Sequence, residues 1–245
     1  PKQLVSKWNQ GICTSGGWYT DGDVLIAYIN YWPDGLNPKG GYVQCMMSQD
    51  GLSWTDPKPV LNNQKQPVSG IFEQDPRALP DGRIINAVHE QPGLIVTPYF
   101  TEDPQGITGW TRGTMKNLPY AGSVSREIEP SWFYQSNENI VMIFRDQASS
   151  FRKLASISSD RGVTWTTPVL THMPDSRSKQ CAGNLPDGTA FMIHNPVNNK
   201  NRFPLVIVLS KQGKVFDTAC LLRDGDEDLQ PLRYEGRYKR KGYHY

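Results

Sequence analysis

The sequence has few cysteines and no arrangement of them that would hold a metal. Its 4 cysteines in 245 residues include no CxxC pair, so the ligand spacing of a structural zinc site is absent. Cys45 and Cys220 lie in apolar runs, which predicts buried free thiols. We therefore expect neither a metal nor a cofactor, and the cysteines leave the redox compartment open.

Long apolar runs and an excess of one charge are also missing. No stretch of 18 apolar residues occurs, so we expect no membrane-spanning helix. The 26 basic and 24 acidic residues give a net charge of +2, which does not indicate a nucleic-acid partner. The sequence has no P-loop, GxGxxG, HExxH or GxSxG motif, which argues against nucleotide enzymes, zinc proteases and serine hydrolases.

Long amphipathic helical segments are absent too, whereas turn-forming and aromatic residues are frequent. The sequence holds 22 glycines, 19 prolines, 7 tryptophans and 11 tyrosines. Short apolar or alternating runs between turns indicate strands; the clearest are Val24–Tyr31, Tyr42–Ser48, Ile140–Arg145, Leu154–Ser158 and Leu205–Ser210. Composition and pattern together predict an all-β fold.

One short motif recurs along the chain at a nearly constant interval. It reads SSDRGVTW at Ser158–Trp165, and imperfect copies begin at Ser48, Thr101 and Ser210, so the intervals are 53, 57 and 52 residues. A turn leading into an apolar strand precedes each copy; these segments are Thr20–Tyr28, Leu79–Val88, Ser136–Phe144 and Leu185–Ile193. Repeats of roughly 50 residues built from several strands are typical of β-propeller blades. A β-sandwich, the alternative, does not require a motif at a fixed interval.

The residue types of this motif favour a structural role. Its Ser and Asp side chains can satisfy backbone groups of a turn, its Gly can adopt a positive φ, and its Trp can pack between sheets. We therefore predict that Asp50 and Asp160 close turns and that the chemistry lies elsewhere.

The motif SSDRGVTW resembles the Asp box of sialidases and of other BNR-repeat proteins, above all the uncharacterised BNR-repeat members of the sialidase superfamily. Other segments are similar to sialidase motifs: REIEPSWF contains Glu129, and VMIFRD contains Arg145 at an interval of 16 residues. HNPVNNKNRFPL contains Arg202, and GYHY ends in Tyr245. The resemblance implies a six-bladed β-propeller of four-stranded blades, of which residues 1–245 would supply about four blades and one strand.

The resemblance also implies a function, that of an exo-sialidase-like glycoside hydrolase without a cofactor. Arg145 and Arg202 would bind a sugar carboxylate, Glu129 would assist as the base, and Tyr245, or alternatively Tyr243, would be the nucleophile. This chemistry is coherent because guanidinium groups bind carboxylates bidentately and a neutral Tyr is not repelled by an anionic substrate. The expected partner is an acidic glycan that contains sialic or uronic acid, and we expect a secreted or periplasmic location.

The sequence departs from the sialidase pattern near its beginning. It has no FRIP-like motif for a first arginine; Arg77 in EQDPRALPDGRI is superficially similar but lies only 52 residues before Glu129. The acid/base Asp of sialidases has no clear counterpart, and Asp75 and His89, next to predicted strands, are the candidates. Because four units and a strand fall short of six blades, we expect a single propeller domain that is incomplete at one or both ends.

Two other functions remain open at this point. A uronic-acid glycosidase or polysaccharide lyase would also use paired arginines, with His89 as its acid or base, and a glycan-binding propeller would need no catalysis. Two local expectations accompany these functions. Glu127 and Glu129 would face the same side of a regular strand, and Arg177 would lie in a solvated polar loop, Pro174–Gln180.

Overall fold

The computed structural model describes residues 11–35, 40–91, 93–136, 138–198, 202–225 and 242. Over these residues the regular secondary structure is entirely β, and no helix long and apolar enough to cross a membrane occurs among them. The strands are β1 (Gly11–Thr20), β2 (Leu25–Pro33), β3 (Tyr42–Ser48), β4 (Lys58–Pro59), β5 (Ile71–Phe72), β6 (Arg77–Ala78), β7 (Ile84–Glu90), β8 (Ile95–Thr101), β9 (Thr111–Arg112), β10 (Thr114–Met115), β11 (Glu127–Tyr134), β12 (Ile140–Asp146), β13 (Arg152–Ser158), β14 (Thr164–Trp165), β15 (Val169–Pro174), β16 (Cys181–Asn184), β17 (Ala190–His194), β18 (Leu205–Ser210) and β19 (Thr218–Arg223).

The strands form four antiparallel meandering sheets. Three have the order β1-β2-β3-β4, β11-β12-β13-β15 and β16-β17-β18-β19. In the remaining sheet, β5 and β6 both pair with β7, which is followed by β8 and β9, so its first strand is interrupted. The short strands β10 and β14 form a parallel pair of their own. A repeated meander of four strands is the blade of a β-propeller.

The chain divides into two compact units. The first holds the described residues up to Ser125 together with Arg161–Trp165, and the second holds Arg126–Asp160 and the described residues from Thr166 onward. Each unit contains two of the four sheets.

Turn chemistry explains where the second strand begins in two of the sheets. Asp21 Oδ1 accepts hydrogen bonds from the backbone N–H groups of Asp23 and Val24 at 3.0 and 2.8 Å, just before β2. Asp187 does the same for Thr189 at 2.9 Å, before β17. These bonds fix tight turns that return the chain antiparallel, and the predicted turn-strand segments are confirmed.

Each unit has an aromatic-rich core of its own. In the first, Phe72 lies between Tyr28 and Trp110, with ring centroids 5.2 and 5.4 Å away, and all three side chains are buried. In the second, Phe133 packs edge-to-face on Phe216 at 5.4 Å, among apolar side chains of β12, β17 and β18. Truncating any of the buried rings to Ala would cost about 3–5 kcal/mol.

The recurring motif closes turns, as predicted. Asp50 Oδ1 accepts the backbone N–H groups of Leu52 and Ser53, both at 2.7 Å, and the Ser48 hydroxyl at 3.1 Å. The bonds from Ser53 and Leu52 lower the pKa of Asp50 to about 2. The Ser158 hydroxyl donates to Asp160 in the same way at 2.8 Å.

The prediction of buried free thiols is confirmed for Cys45 but not for Cys220. All four cysteines are free thiols, and Cys45 is buried in β3, but Cys220 is exposed. The prediction of a buried Cys220 was wrong because β19 is the last strand of its sheet and all six of its residues are exposed. An apolar run on such an edge strand does not become core.

Candidate functional site

A β-bulge in the second unit carries the predicted base. The register of β11 and β12 pairs Ile128 with Arg145 and then shifts, so that Ser131 pairs with Ile143. Glu129 lies inside this irregularity with a φ of 54°. A left-handed conformation costs a non-glycine residue about 1–3 kcal/mol and is concentrated at functional sites, and bulges re-aim side chains. The prediction that Glu127 and Glu129 face the same side assumed a regular strand, and the bulge interrupts that regularity between Ile128 and Ser131.

The bulge places the Glu129 carboxylate against Arg145. Glu129 Oε2 lies 3.2 Å from Arg145 Nε, and the two side chains are only 11% and 16% exposed. Glu129 and Arg145, which were selected by their interval in the sequence, are thus in direct contact. The remaining hydrogen bonds of the Arg145 guanidinium are long and therefore weak: Nη1 donates to the Arg177 carbonyl at 3.5 Å and Nη2 to Gln147 Oε1 at 3.4 Å.

A second arginine, which the sequence analysis assigned to a solvated loop, lies beside this pair. Arg177 is half-buried, and its Nη2 donates to the carbonyl of Gln147 at 3.2 Å and to Gln147 Oε1 at 3.4 Å. The loop is held from within, because Ser178 Oγ donates to Asn195 Oδ1 at 2.8 Å and Ser176 N donates to the Asn195 carbonyl at 3.1 Å. The solvated-loop prediction was therefore wrong. Its only sequence signal was the density of Ser and Asp around Arg177, which marks anchored turns as well as exposed ones.

Under this loop lies a buried ion pair that supports Glu129. Lys153 and Asp175 are fully buried, with Nζ and Oδ1 2.8 Å apart, and Nζ also donates to the Ser178 carbonyl and to Gln180 Oε1, both at 2.9 Å. Burial lowers the pKa of Lys153, and the charge of Asp175 opposes this effect. Gln180 Nε2 donates in turn to the Glu129 carbonyl at 2.6 Å. A chain of bonds therefore runs from the buried lysine to the strained residue.

The neighbouring charges of β11 and β12 have a structural role. Arg126 makes a bidentate ion pair with the buried Asp146, with Nε–Oδ1 and Nη2–Oδ2 distances of 2.8 Å. Burial acts to raise the pKa of Asp146, but the bonds from Arg126 and Ser150 outweigh it, and the pKa lies below its ordinary value. Arg126 and Asp146 therefore satisfy each other and belong to the framework of the sheet.

The remaining residues predicted for the second unit are described only in part. Arg202 lies shortly before β18, is buried, and forms a parallel bridge with Gly242. The predicted nucleophile Tyr245 and its alternative Tyr243 lie outside the described residues. The roles given to these three residues stay predictions.

The first unit contains its own cluster of predicted residues, where β5 gives way to β6. His89 is an interior residue of β7 and only 2% exposed, and its Nδ1 lies 3.3 Å from Oε1 of Glu73, a residue that the sequence analysis missed. Asp75 is exposed and accepts a hydrogen bond from the backbone N–H of Trp18 at 2.8 Å. Arg77 is the first residue of β6 and pairs with Ile85 of β7. An interrupted strand thus sets an acidic residue beside a buried imidazole, the combination that acid–base chemistry requires.

Metal ligation has no support in the part of the chain that the structure describes. No group of three or more His, Cys, Asp or Glu side chains there is arranged to hold a metal ion.

Comparison with known proteins identifies the fold. The model of the BNR repeat-like domain family matches residues 4–245, and no curated protein sequence matches the chain. Among solved structures, a protein of unknown function from Dyadobacter fermentans has a TM-score of 0.63 at 18% identity, with 88% of this chain and 66% of that chain covered. The Hadza microbial sialidase Hz136 has a TM-score of 0.66 at 14% identity, with 88% and 46% covered. Zg3597, a family 117 glycoside hydrolase of Zobellia galactanivorans, has a TM-score of 0.56 at 11% identity, with 88% and 72% covered.

These similarities confirm the predicted fold class, an all-β propeller of four-stranded blades. The chain spans 66% and 46% of the lengths of the Dyadobacter fermentans protein and of the Hadza sialidase. At such identities the likeness concerns the fold, since one propeller fold serves many unrelated functions.

Proposed function

The chain belongs to the family of BNR repeat-like domains, and on this premise we propose that it acts on an acidic glycan as a sialidase-like glycoside hydrolase. The observation that carries the proposal is the contact between Glu129 and Arg145 at a strained bulge. A strained, nearly buried ion pair is an expensive arrangement that a purely structural blade does not need. The fold shared with a sialidase and with a family 117 glycoside hydrolase supports a glycan as the class of substrate.

In the proposed reaction the tyrosine oxygen attacks the anomeric carbon while the glycosidic C–O bond breaks. Glu129 accepts the phenol proton of Tyr245, an acid protonates the leaving oxygen, and water then hydrolyses the glycosyl–tyrosine bond. Asp75, with His89 as the alternative, stays the candidate that the sequence offers for this acid. Arg145, joined by Arg202, holds the sugar carboxylate, since a guanidinium offers paired N–H donors in one plane. A secreted or periplasmic location, where free glycans occur, completes the proposal.

A uronic-acid glycosidase or lyase is the second candidate. The specific observation in its favour is His89, which is buried in β7 with its Nδ1 3.3 Å from Glu73 Oε1. A carboxylate beside an imidazole orients the ring for proton transfer. A lyase needs such a group to remove the proton next to the sugar carboxylate.

Product analysis on a panel of sialosides and uronides tests these proposals. A hydrolase releases saturated sugars, whereas a lyase leaves an unsaturated product that absorbs in the near ultraviolet. We expect Glu129→Gln to lower kcat about 10²–10⁴-fold, and Arg145→Ala to lower kcat/KM roughly 10- to 100-fold. Two exposed residues give matched controls: Glu138 lies in the turn between β11 and β12, and Arg152 lies on β13. Glu138→Gln and Arg152→Ala should both keep wild-type turnover.

Two outcomes would count against the proposed function. If Glu129→Gln and Arg145→Ala both turn over like the wild type, the assigned site is wrong. If the wild-type protein retains acidic glycans on an array and releases no sugar from any member of the panel, the protein is a glycan-binding propeller.

A further inference from the structure

A single side-chain amide joins the two strands at the β11 bulge. Gln180 is buried, and its Nε2 donates to the Glu129 carbonyl at 2.6 Å and to the Ile143 carbonyl of β12 at 3.1 Å. We propose that Gln180 is a positioning residue, which holds the backbone of Glu129 so that the carboxylate meets Arg145. This inference rests on the proposed function, because it concerns the residue that we propose as the base.

The conformation of Glu129 needs support from outside its own strand. The pairing of β11 with β12 is irregular between Ile128 and Ser131, and Glu129 has a φ of 54° within this interval. A bulge disrupts the ladder that would otherwise fix the backbone, and a left-handed conformation at a residue other than glycine persists only where the surroundings determine it. The two hydrogen bonds from Gln180 act directly on this irregularity.

Lys153 determines which way the Gln180 amide faces. Lys153 Nζ, which can only donate, lies 2.9 Å from Gln180 Oε1. The oxygen of the amide therefore faces the ammonium group, and the NH2 group, with its two donors, faces the two carbonyls. Because Lys153 is fully buried and is itself held by Asp175 at 2.8 Å, the amide cannot flip without losing these bonds.

Strand β16, which begins directly after Gln180, is attached to β11 at two further points. Ala182 N donates to Ser131 Oγ at 2.8 Å. Asn184 Oδ1 accepts a hydrogen bond from Tyr134 N at 2.7 Å, and Asn184 Nδ2 donates to the Tyr134 carbonyl at 3.1 Å. The amides of Gln180 and Asn184 thus hold the two ends of the same strand, and that of Gln180 is the one at the proposed base.

These two amides distinguish a positioning role from a purely structural one. If both only attach β16 to β11, the loss of either should lower the free energy of unfolding and leave the turnover of the folded protein unchanged. If Gln180 positions the base, its loss should displace the Glu129 carboxylate, and a displacement of about 1 Å near the chemistry can lower the rate about 10²-fold. KM should change little, because a buried amide that holds the backbone does not bind the substrate.

Steady-state kinetics on the preferred substrate of the panel tests the inference. Gln180→Met and Asn184→Leu each replace an amide by an apolar side chain of similar size. We expect Gln180→Met to lower kcat roughly 10- to 100-fold at a nearly unchanged KM, and Asn184→Leu to keep the kcat of the wild type. Gln180→Glu provides a second variant: it keeps an acceptor for Lys153 but, when ionised, has no donor for the two carbonyls, so kcat should fall similarly.

Crystal structures of the wild type and of Gln180→Met give a readout that does not depend on turnover. We expect the contact between Glu129 Oε2 and Arg145 Nε, 3.2 Å in the wild type, to be lost in the variant. Urea unfolding checks that each variant is folded under the assay conditions.

Three outcomes would overturn the inference while leaving the proposed function intact. They are a folded Gln180→Met variant with wild-type kcat, an unchanged contact between Glu129 and Arg145 in its structure, and equal losses of kcat in Gln180→Met and Asn184→Leu. A wild type that releases no sugar from any member of the panel would instead refute the proposed function, and loss of the Glu129–Arg145 contact in Gln180→Met would still support the positioning of Glu129 by Gln180.

Discussion

Replacing only one partner of the ion pair between Lys153 and Asp175 should lower the free energy of unfolding strongly, whereas replacing both partners with apolar residues should lower it much less. Both side chains are fully buried, and Lys153 Nζ satisfies Asp175, the Ser178 carbonyl and Gln180 Oε1 at 2.8–2.9 Å. Lys153→Met keeps the volume but leaves a buried carboxylate and two buried acceptors without their donor. Removing one partner of such a pair typically costs about 3–5 kcal/mol. In a protein of this size that loss lowers Tm by roughly 6–20 °C.

The double variant Lys153→Met/Asp175→Leu distinguishes a buried charge from simple loss of packing. It removes both charges, and apolar replacements of buried pairs are often neutral or stabilising. The Ser178 carbonyl and Gln180 Oε1 still lose a donor, so we expect a residual loss of about 1–3 kcal/mol. Urea unfolding followed by tryptophan fluorescence gives the unfolding free energies of the wild type, both single variants and the double variant.

Two results would refute this reasoning. A loss below about 1 kcal/mol for Lys153→Met would mean that the carboxylate is not held as an uncompensated buried charge. A double variant as unstable as the sum of the single ones would mean that the two charges are not coupled.

Three further predictions concern single side chains. Glu129→Gly should abolish turnover because it removes the base, and it should lower the unfolding free energy, because the gain of about 1 kcal/mol from relieving the left-handed φ does not offset the loss of the carboxylate beside the nearly buried Arg145. Glu138→Gly, at an exposed residue with a φ of 66°, should instead raise the unfolding free energy by about 1 kcal/mol and keep turnover; equal effects of the two changes on turnover would contradict the role of Glu129. The turn bonds that lower the pKa of Asp50 to about 2 stabilise the fold above its ordinary pKa of about 3.9, and this stability is lost as the pH falls towards 2. Melting curves of Asp50→Asn should therefore show a weaker acid dependence in this range, and an unchanged slope would speak against it. Burial and the charge of Lys153 lower the pKa of His194 to about 3, so the unfolded chain binds this proton first as the pH falls below about 6.5. Between pH 6.5 and about 3, His194 therefore contributes a loss in unfolding free energy of about 1.4 kcal/mol per pH unit. His194→Gln, which does not titrate, should flatten that slope, and a slope equal to the wild type's would show that His194 is accessible to protons.

Much of the fold was readable from the sequence because its signals are local. The predicted strands Tyr42–Ser48 and Leu205–Ser210 coincide with β3 and β18, and the Asp turns before β2 and β17 fix where those strands begin. Alternation of apolar residues and turn chemistry act over a few residues. Because the motif recurs at nearly constant intervals, the same local signals predicted four successive blades along the chain.

The candidate site was readable only where one sequence interval sufficed. Glu129 lies near the start of β11 and Arg145 near the end of the antiparallel strand β12, so an interval of 16 residues brings the two side chains together. The burial of Lys153 was not predictable in this way, because its partner Gln180 lies 27 residues further along and the pair is completed only by packing. The same holds for Arg177, whose loop is anchored by Asn195 on the following sheet.

The distribution of strain separates the site from the turns that the repeat supplies. Of the non-glycine residues with positive φ among those described, Glu129 alone lies inside a strand, whereas the others lie in turns and loops. The Asp boxes satisfy their own side chains within a few residues, so each is stable without the rest of the site. Glu129 and Arg177, by contrast, depend on the buried network of Lys153, and both contact Arg145. Natural proteins tolerate such violations of local rules mainly where function requires them, and for this reason our proposal assigns the chemistry to the bulge of β11 and not to the repeated motif.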